Sequence, residues 1–162
     1  MEFSGHEQAP APGELSFKVP EGWIEEQPSS GMRKAQFRLP GDGGNDAELA
    51  VFSGIGGSVE QNVDRWINQF SRPDGSSLGD SAEIIHREVH GMRVTLVDAS
   101  GTYTGSMSTM NAGGGAKDDY RLLAAVIETP SAPWYLKLTG PCKTVDRWES
   151  AFMEYVESAE IP

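Results

Sequence analysis

Cysteine is almost absent from this chain of 162 residues, since Cys142 is its single example. One thiol cannot form an internal disulfide, so a disulfide-stabilised framework is excluded and the redox compartment is left open. Cys142 precedes a predicted helix, a position that can lower a thiol pKa, but the sequence supplies no partner base for catalysis. We therefore do not assign it a catalytic role.

Basic residues are also scarce. The chain has 13 Lys and Arg against 24 Asp and Glu, a formal net charge of −11 at pH 7. Nucleic-acid binding draws much of its affinity from neutralising phosphates, and an acidic surface without a basic stripe argues against it. The same charge disfavours anionic lipid and favours solubility.

Long apolar runs are missing, and none approaches the roughly 18 residues of a membrane span. Residues 1–14 are polar, contain Pro and Gly, and lack the apolar stretch of a signal peptide. We predict that they form a flexible tether in front of a single domain over residues 15–160. We expect any targeting segment to belong to a precursor, outside these residues.

The 19 Gly and 10 Pro predict short elements joined by many turns. Alternating or continuous apolar patterns predict strands, and His90-Gly91 is typical of a tight hairpin turn. The apolar run at 120–129 predicts a strand that is covered on both faces. The predicted strands are 15–19, 32–39, 48–52, 83–89, 92–103, 120–129 and 134–138.

Two helices are predicted from a repeat, Val-Asp-Arg-Trp-x-x-x-Phe, found at 63–70 and 145–152. In each copy Val, Trp and Phe fall on one apolar stripe of a helix. Ser58 and Gln61 predict a capping box for the first helix, which is expected to end near residue 71. Thr144 is expected to start the second.

Strands, helix, strands and helix, in that order, predict an α+β fold. We expect an antiparallel β-sheet built of hairpins, with two amphipathic helices packed on opposite faces as an α/β/α sandwich.

Several segments together resemble uncharacterised bacterial exported proteins of the lipoprotein type, over residues 15–158. The element order also resembles the PsbP-like fold, which extrinsic photosystem II subunits and a Ran-binding import factor share. This resemblance implies a binding or assembly role without catalysis, and it implies no functional residue. The segments are 17–23, 32–40, 56–60 with Arg65-Trp66, 95–103 and 133–141.

Two groups of side chains have the chemistry of metal ligands. His86, Glu88 and His90 alternate along a predicted strand, which places all three on one face. Carboxylate and amide oxygens in and just after the predicted 41–47 loop suit Ca²⁺, although their spacing does not match an EF-hand. These oxygens belong to Asp42, Asn45, Asp46 and Glu48.

Partner contacts are expected in two loops, 41–47 and 105–117, which lack the pattern of a packed element. The candidate surface residues are Asp42, Asn45, Asp46, Met107 and Met110. Methionines in a Gly-rich loop offer a soft, adaptable contact surface.

The sequence favours a non-enzymatic, exported binding or accessory domain, in the periplasm or cell envelope and with a lipid anchor on the precursor as an option. The alternatives are a hydrolase-type enzyme whose site assembles from distant residues, and a metal-binding protein using His86, Glu88 and His90. No catalytic, cofactor or metal residue is assigned. The partner, an unknown protein or small ligand, and the oligomeric state stay open.

Overall fold

A computed structural model describes residues 15–28, 31, 33–72, 74–76, 78, 82–104 and 117–161. These described residues form eight strands, two α-helices and one short 3-10 turn. The strands are β1 (Ile24–Glu25), β2 (Arg33–Leu39), β3 (Ala47–Ser53), β4 (Phe70–Ser71), β5 (Glu83–Val89), β6 (Met92–Tyr103), β7 (Lys117–Glu128) and β8 (Pro133–Pro141). The helices are α1 (Val59–Ile67) and α2 (Cys142–Glu157).

All strands belong to one antiparallel sheet in the order β1-β2-β3-β8-β7-β6-β4, and β5 pairs with β6 beside β4. Neighbouring strands are mostly joined as hairpins. The turn between β5 and β6 is the predicted one: His90 and Gly91 both have positive φ, 49° and 82°, as a tight two-residue turn requires. The predicted α+β fold with a hairpin-built antiparallel sheet is thus confirmed.

The sheet separates two hydrophobic cores. Along β7, Leu123 and Ile127 face a core shared with α2, while Leu122 and Val126 face a core shared with α1. Both sets are buried, so the strand is covered on its two faces as its continuous apolar pattern predicted. The helices lie on opposite faces, which confirms the predicted α/β/α layering.

Helix α1 begins as predicted and ends earlier than predicted. The Ser58 hydroxyl accepts the Gln61 backbone N–H at 3.1 Å, and the Gln61 side chain accepts the Ser58 N–H at 3.0 Å. The expected end near residue 71 is wrong. Phe70 pairs with Tyr103 in the sheet as part of β4, because burial against β6 overrides its helical spacing.

Helix α2 begins two residues before Thr144, so that predicted start is also wrong. Pro141 occupies the capping position and offers no side-chain cap. The buried Thr144 hydroxyl instead donates to the backbone carbonyl of Asn45, in the loop between β2 and β3. A tertiary contact therefore uses the hydroxyl that local sequence assigned to capping.

The two Val-Asp-Arg-Trp copies have different surroundings. Trp66 is buried and meets Tyr135 edge to face, with ring centroids 5.7 Å apart. Trp148 is partly exposed, and its indole N–H donates to the Pro40 carbonyl at 2.8 Å. The repeat marks two helices that pack on the sheet, but it does not mark two equivalent sites.

Candidate functional site

The loop between β2 and β3 carries three of the predicted surface residues. It makes one short 3-10 turn, Asp42–Gly44, in which Gly43 and Gly44 have φ of 64° and 84°. Those angles belong to the left-handed region that glycine adopts at little cost. The Asp42 side chain is fully exposed at the tip of this turn.

Asp46 holds the base of the loop. Its Oδ1 accepts the Gly41 backbone N–H at 2.8 Å, and Arg38 Nη1 lies 3.1 Å from its Oδ2. The Gly41 N–H and then the Arg38 guanidinium hold the pKa of Asp46 below its ordinary value. Asp46 therefore stabilises the loop conformation and has both carboxylate oxygens engaged.

The other side of the loop is attached to α2. Thr144 donates to Asn45, Trp148 donates to Pro40, and Arg147 Nη1 lies 3.5 Å from Asp42 Oδ1. Three side chains of α2 thus contact the loop, one at its start, one at its tip and one at its end. Such bracing reduces the conformational freedom that a bound partner would otherwise have to restrict.

A concavity of about 470 Å³ lies between this loop, the first residues of β7 and the start of α2. Its rim is of mixed charge, with carboxylates and basic side chains side by side. Asp119 adopts a left-handed conformation with φ of 56°, which is uncommon outside glycine. The charged lining residues are Asp42, Asp118, Asp119, Lys143 and Arg147.

Cys142 also lines this concavity, as the first residue of α2. Burial, followed by the nearby charge of Asp146, raises the pKa of its thiol. A reactive thiol needs the opposite shift. The helix start therefore does not activate Cys142.

Met107 and Met110 lie outside the described residues, as does most of the 105–117 loop. Their role as partner contacts remains a prediction.

Several of the predicted metal ligands contact other polar groups. His86 Nδ1 lies 3.2 Å from the Thr95 hydroxyl, whereas His90 Nδ1 lies 2.8 Å from the Ala159 carbonyl at the end of α2. Among the predicted Ca²⁺ ligands, Glu48 on β3 pairs with Arg33 at 3.2 Å, and Asp46 pairs with Arg38. Within the described ranges, His, Cys, Asp and Glu side chains form no group of three or more suited to a metal ion.

Sequence reasoning missed a second concavity, of about 300 Å³, on the α1 face of the sheet. Its floor carries Lys137, a cation in the middle of β8, whose Nζ donates to Gln69 Oε1 at 2.8 Å. The ammonium also lies 5.6 Å from the Trp66 ring centroid. The sequence did contain one signal of this site, a lysine among the otherwise apolar residues of 134–138.

The electrostatics of Lys137 are unusual. Burial, and then the positive charges of Arg33 and Arg65, lower its pKa to about 8. Glu48 acts in the opposite direction but contributes least. Burial likewise raises the pKa of Tyr103 and Tyr120, which line the same concavity.

Solved structures of other proteins share this fold. CyanoP, the cyanobacterial PsbP of Synechocystis sp. PCC 6803, superposes with a TM-score of 0.52 at 16% identity over 98% of this chain and 100% of its own. The fold is PsbP-like. LpqN of Mycobacterium tuberculosis, described as involved in cell envelope biogenesis, gives 0.55 at 12% identity over 94% of this chain and 87% of its own.

A third structure, a protein of unknown function named PA94 from Pseudomonas aeruginosa, gives a TM-score of 0.53 at 14% identity over 93% of this chain and 98% of its own. Identities this low establish the shared fold and nothing about binding. No protein-family profile and no curated protein sequence matches the chain.

None of the helices in the described part of the chain is long and apolar enough to cross a bilayer.

Proposed function

We propose that the chain is a non-catalytic accessory domain of the cell envelope that binds a partner protein through the loop between β2 and β3. The observation that carries the proposal is the bracing of this loop by α2. Thr144, Arg147 and Trp148 hold it at three points while Asp42 remains fully exposed. A fixed loop with an exposed charged tip suits recognition, because little order is lost on binding.

Asp42 and Asn45 have separate roles in this proposal. Asp42 presents its carboxylate to the partner, which favours a partner with a basic or hydrogen-bond-donating group at this point. Asn45 shapes the loop, since its side chain donates to the Asp42 carbonyl at 3.0 Å. Asp46 supports the loop through Gly41 and Arg38 and does not itself contact the partner.

The cellular location is part of the proposal. LpqN, one of the proteins of the same fold, is described as acting in cell envelope biogenesis. Residues 15–160 would form the folded domain and residues 1–14 a tether to the membrane or to a lipid anchor. Fractionation of cells expressing the full precursor tests this, because recovery from the cytosol alone would contradict it.

A charge reversal tests the binding surface. The Asp42→Arg variant should lose the partner that co-purifies with the tagged chain from native cells. Its melting temperature should change little, because the ion pair with Arg147 that it removes joins two exposed side chains. Glu83→Arg is the matched control, an exposed acidic residue on β5. Partner recovery from Asp42→Arg equal to that from Glu83→Arg would overturn the proposal.

A further inference from the structure

The α1 face of the sheet is only partly covered. Helix α1 has nine residues, a length of about 13 Å, whereas the 12 residues of β7 extend over about 40 Å. Side chains from β2, β3, β6, β7 and β8 line the part of this face around Lys137. The concavity of about 300 Å³ around Lys137 lies in this uncovered part.

Its walls are aromatic. Tyr103 and Tyr120 stack with ring centroids 5.6 Å apart and planes 4° from parallel. On another side Arg33 Cζ lies 5.7 Å from the centroid of Phe52. Both tyrosines, Arg33 and Phe52 line the concavity. A flat apolar group would find ring surfaces on which to pack.

The charges inside the concavity are unbalanced in favour of cations. Arg33 is paired with Glu48, and Asp46 is paired with Arg38. Lys137 lacks such a pairing, since no carboxylate of the described residues forms an ion pair with its Nζ. Its hydrogen-bond acceptor is the neutral side-chain amide of Gln69.

A half-buried ammonium without a counter-ion is costly, and its three N–H groups need acceptors. Gln69 supplies one acceptor. The backbone of Gln69 is itself held in place, because its backbone carbonyl accepts both the backbone N–H and the hydroxyl of Thr104, at 2.7 and 2.9 Å. The remaining acceptors and the counter-charge can come from an anionic ligand in the concavity.

From this geometry we propose that the concavity around Lys137 is a binding site for a small aromatic carboxylate. The carboxylate pairs with Lys137 Nζ, and the ring packs against Tyr103, Tyr120 and Phe52. Lys117, which lines the same concavity, adds a second cation. The lowered pKa of Lys137 agrees with a missing counter-ion, and ligand binding would raise it. This site adjoins the loop around Asp42, because Asp46 supports that loop and also lines the concavity.

Titration of the ¹⁵N-labelled full chain with benzoate at pH 7, followed by two-dimensional NMR, tests the site. Saturable shifts should appear at the amides of Lys137, Gln69 and Tyr103. Benzamide, which keeps the ring and lacks the charge, should bind at least tenfold more weakly, as should acetate, which lacks the ring. No saturation with benzoate, or equal affinity for benzamide, would overturn the proposal.

Variants assign the effect to Lys137. Lys137→Met should weaken benzoate binding at least tenfold, whereas Lys18→Met, at an exposed lysine, should leave it unchanged. Gln69→Glu places a carboxylate where an amide oxygen now lies 2.8 Å from Nζ. It should weaken binding similarly while keeping the shape of the site. Benzoate affinity that survives both Lys137→Met and Gln69→Glu would overturn the proposal.

Discussion

Arg121 shows how one side chain can connect three elements. Its guanidinium, extending from β7, lies 2.8 Å from Asp98 on β6 and 3.1 Å from Glu149 on α2, and it also pairs with Asp146. Arg121 is largely buried while its partners are more exposed. The Asp98 hydrogen bond is the main reason that the pKa of Arg121 is raised.

Replacing Arg121 with Met should destabilise the fold by about 1–3 kcal/mol, because three carboxylates lose their common partner. Arg87→Met is the matched control. Arg87 pairs with Glu157 at 2.9 Å, but both side chains are about half exposed, so the loss should stay below about 0.5 kcal/mol. Urea denaturation of both variants measures the difference, and equal losses would contradict the role given to Arg121.

The lowered pKa of Lys137 leads to a prediction about how the stability of the fold depends on pH. Its pKa is about 8 in the folded state against an ordinary 10.5, so folding disfavours the charged form. This cost is fully present below pH 8 and is relieved as pH rises toward 10.5. The free energy of unfolding should therefore rise over that range relative to Lys137→Met, by on the order of 2 kcal/mol. Chemical denaturation across the range measures it, and parallel profiles would count against the lowered pKa.

At the residue scale, the environments of some side chains could be predicted from the sequence and those of others could not. The exposure of Asp42 and Asn45 in a loop could be predicted, because glycines surround them in the sequence. The environment of Lys137 does not, because it depends on Trp66 and Gln69, which approach β8 only through the position of α1. The raised pKa of Cys142 could not be read from its place before a helix either, since it depends first on the burial of the thiol.

At the element scale, local and long-range effects can be separated. The capping box of α1 and the His90-Gly91 turn involve only neighbouring residues, and both were predicted correctly. Phe70 and Thr144 were assigned wrongly, since their partners Tyr103 and Asn45 are distant in sequence. The apolar periodicity of a sequence identifies a helical spacing, but it does not identify which residue will instead pair with a distant strand or loop.

The close contact between β3 and β8 leads to a prediction about the stability of a glycine variant. A Cβ at Gly140 would lie 2.6 Å from Ala47 Cβ and 2.7 Å from Ala47 Cα, so the two strands approach too closely for a larger residue. Gly140→Ala should destabilise the fold by about 1–3 kcal/mol.

The control is Gly56→Ala, where a Cβ would meet nothing within 4 Å. It should be neutral or stabilising by up to about 1 kcal/mol. Thermal denaturation of the two variants compares them. An unchanged melting temperature for Gly140→Ala would show that the strands can separate at little cost.

At the scale of the whole molecule, the continuous apolar strand β7 determined the layering. A strand buried on both faces requires cover on both sides, and the two helices provide it. This inference needed only the sequence, and the PsbP-like neighbours agree with it. The part of the α1 face that α1 leaves open could not be inferred, because it depends on where that short helix lies along the strands.

We propose above that the braced loop around Asp42 contacts a partner protein in the cell envelope. Photo-crosslinking in native cells tests it most directly, with a photoreactive amino acid at position 42 and, as control, at position 83 on β5. We expect one discrete crosslinked product in the envelope fraction from position 42 and none from position 83. The same products from both positions, or none from position 42, would contradict it.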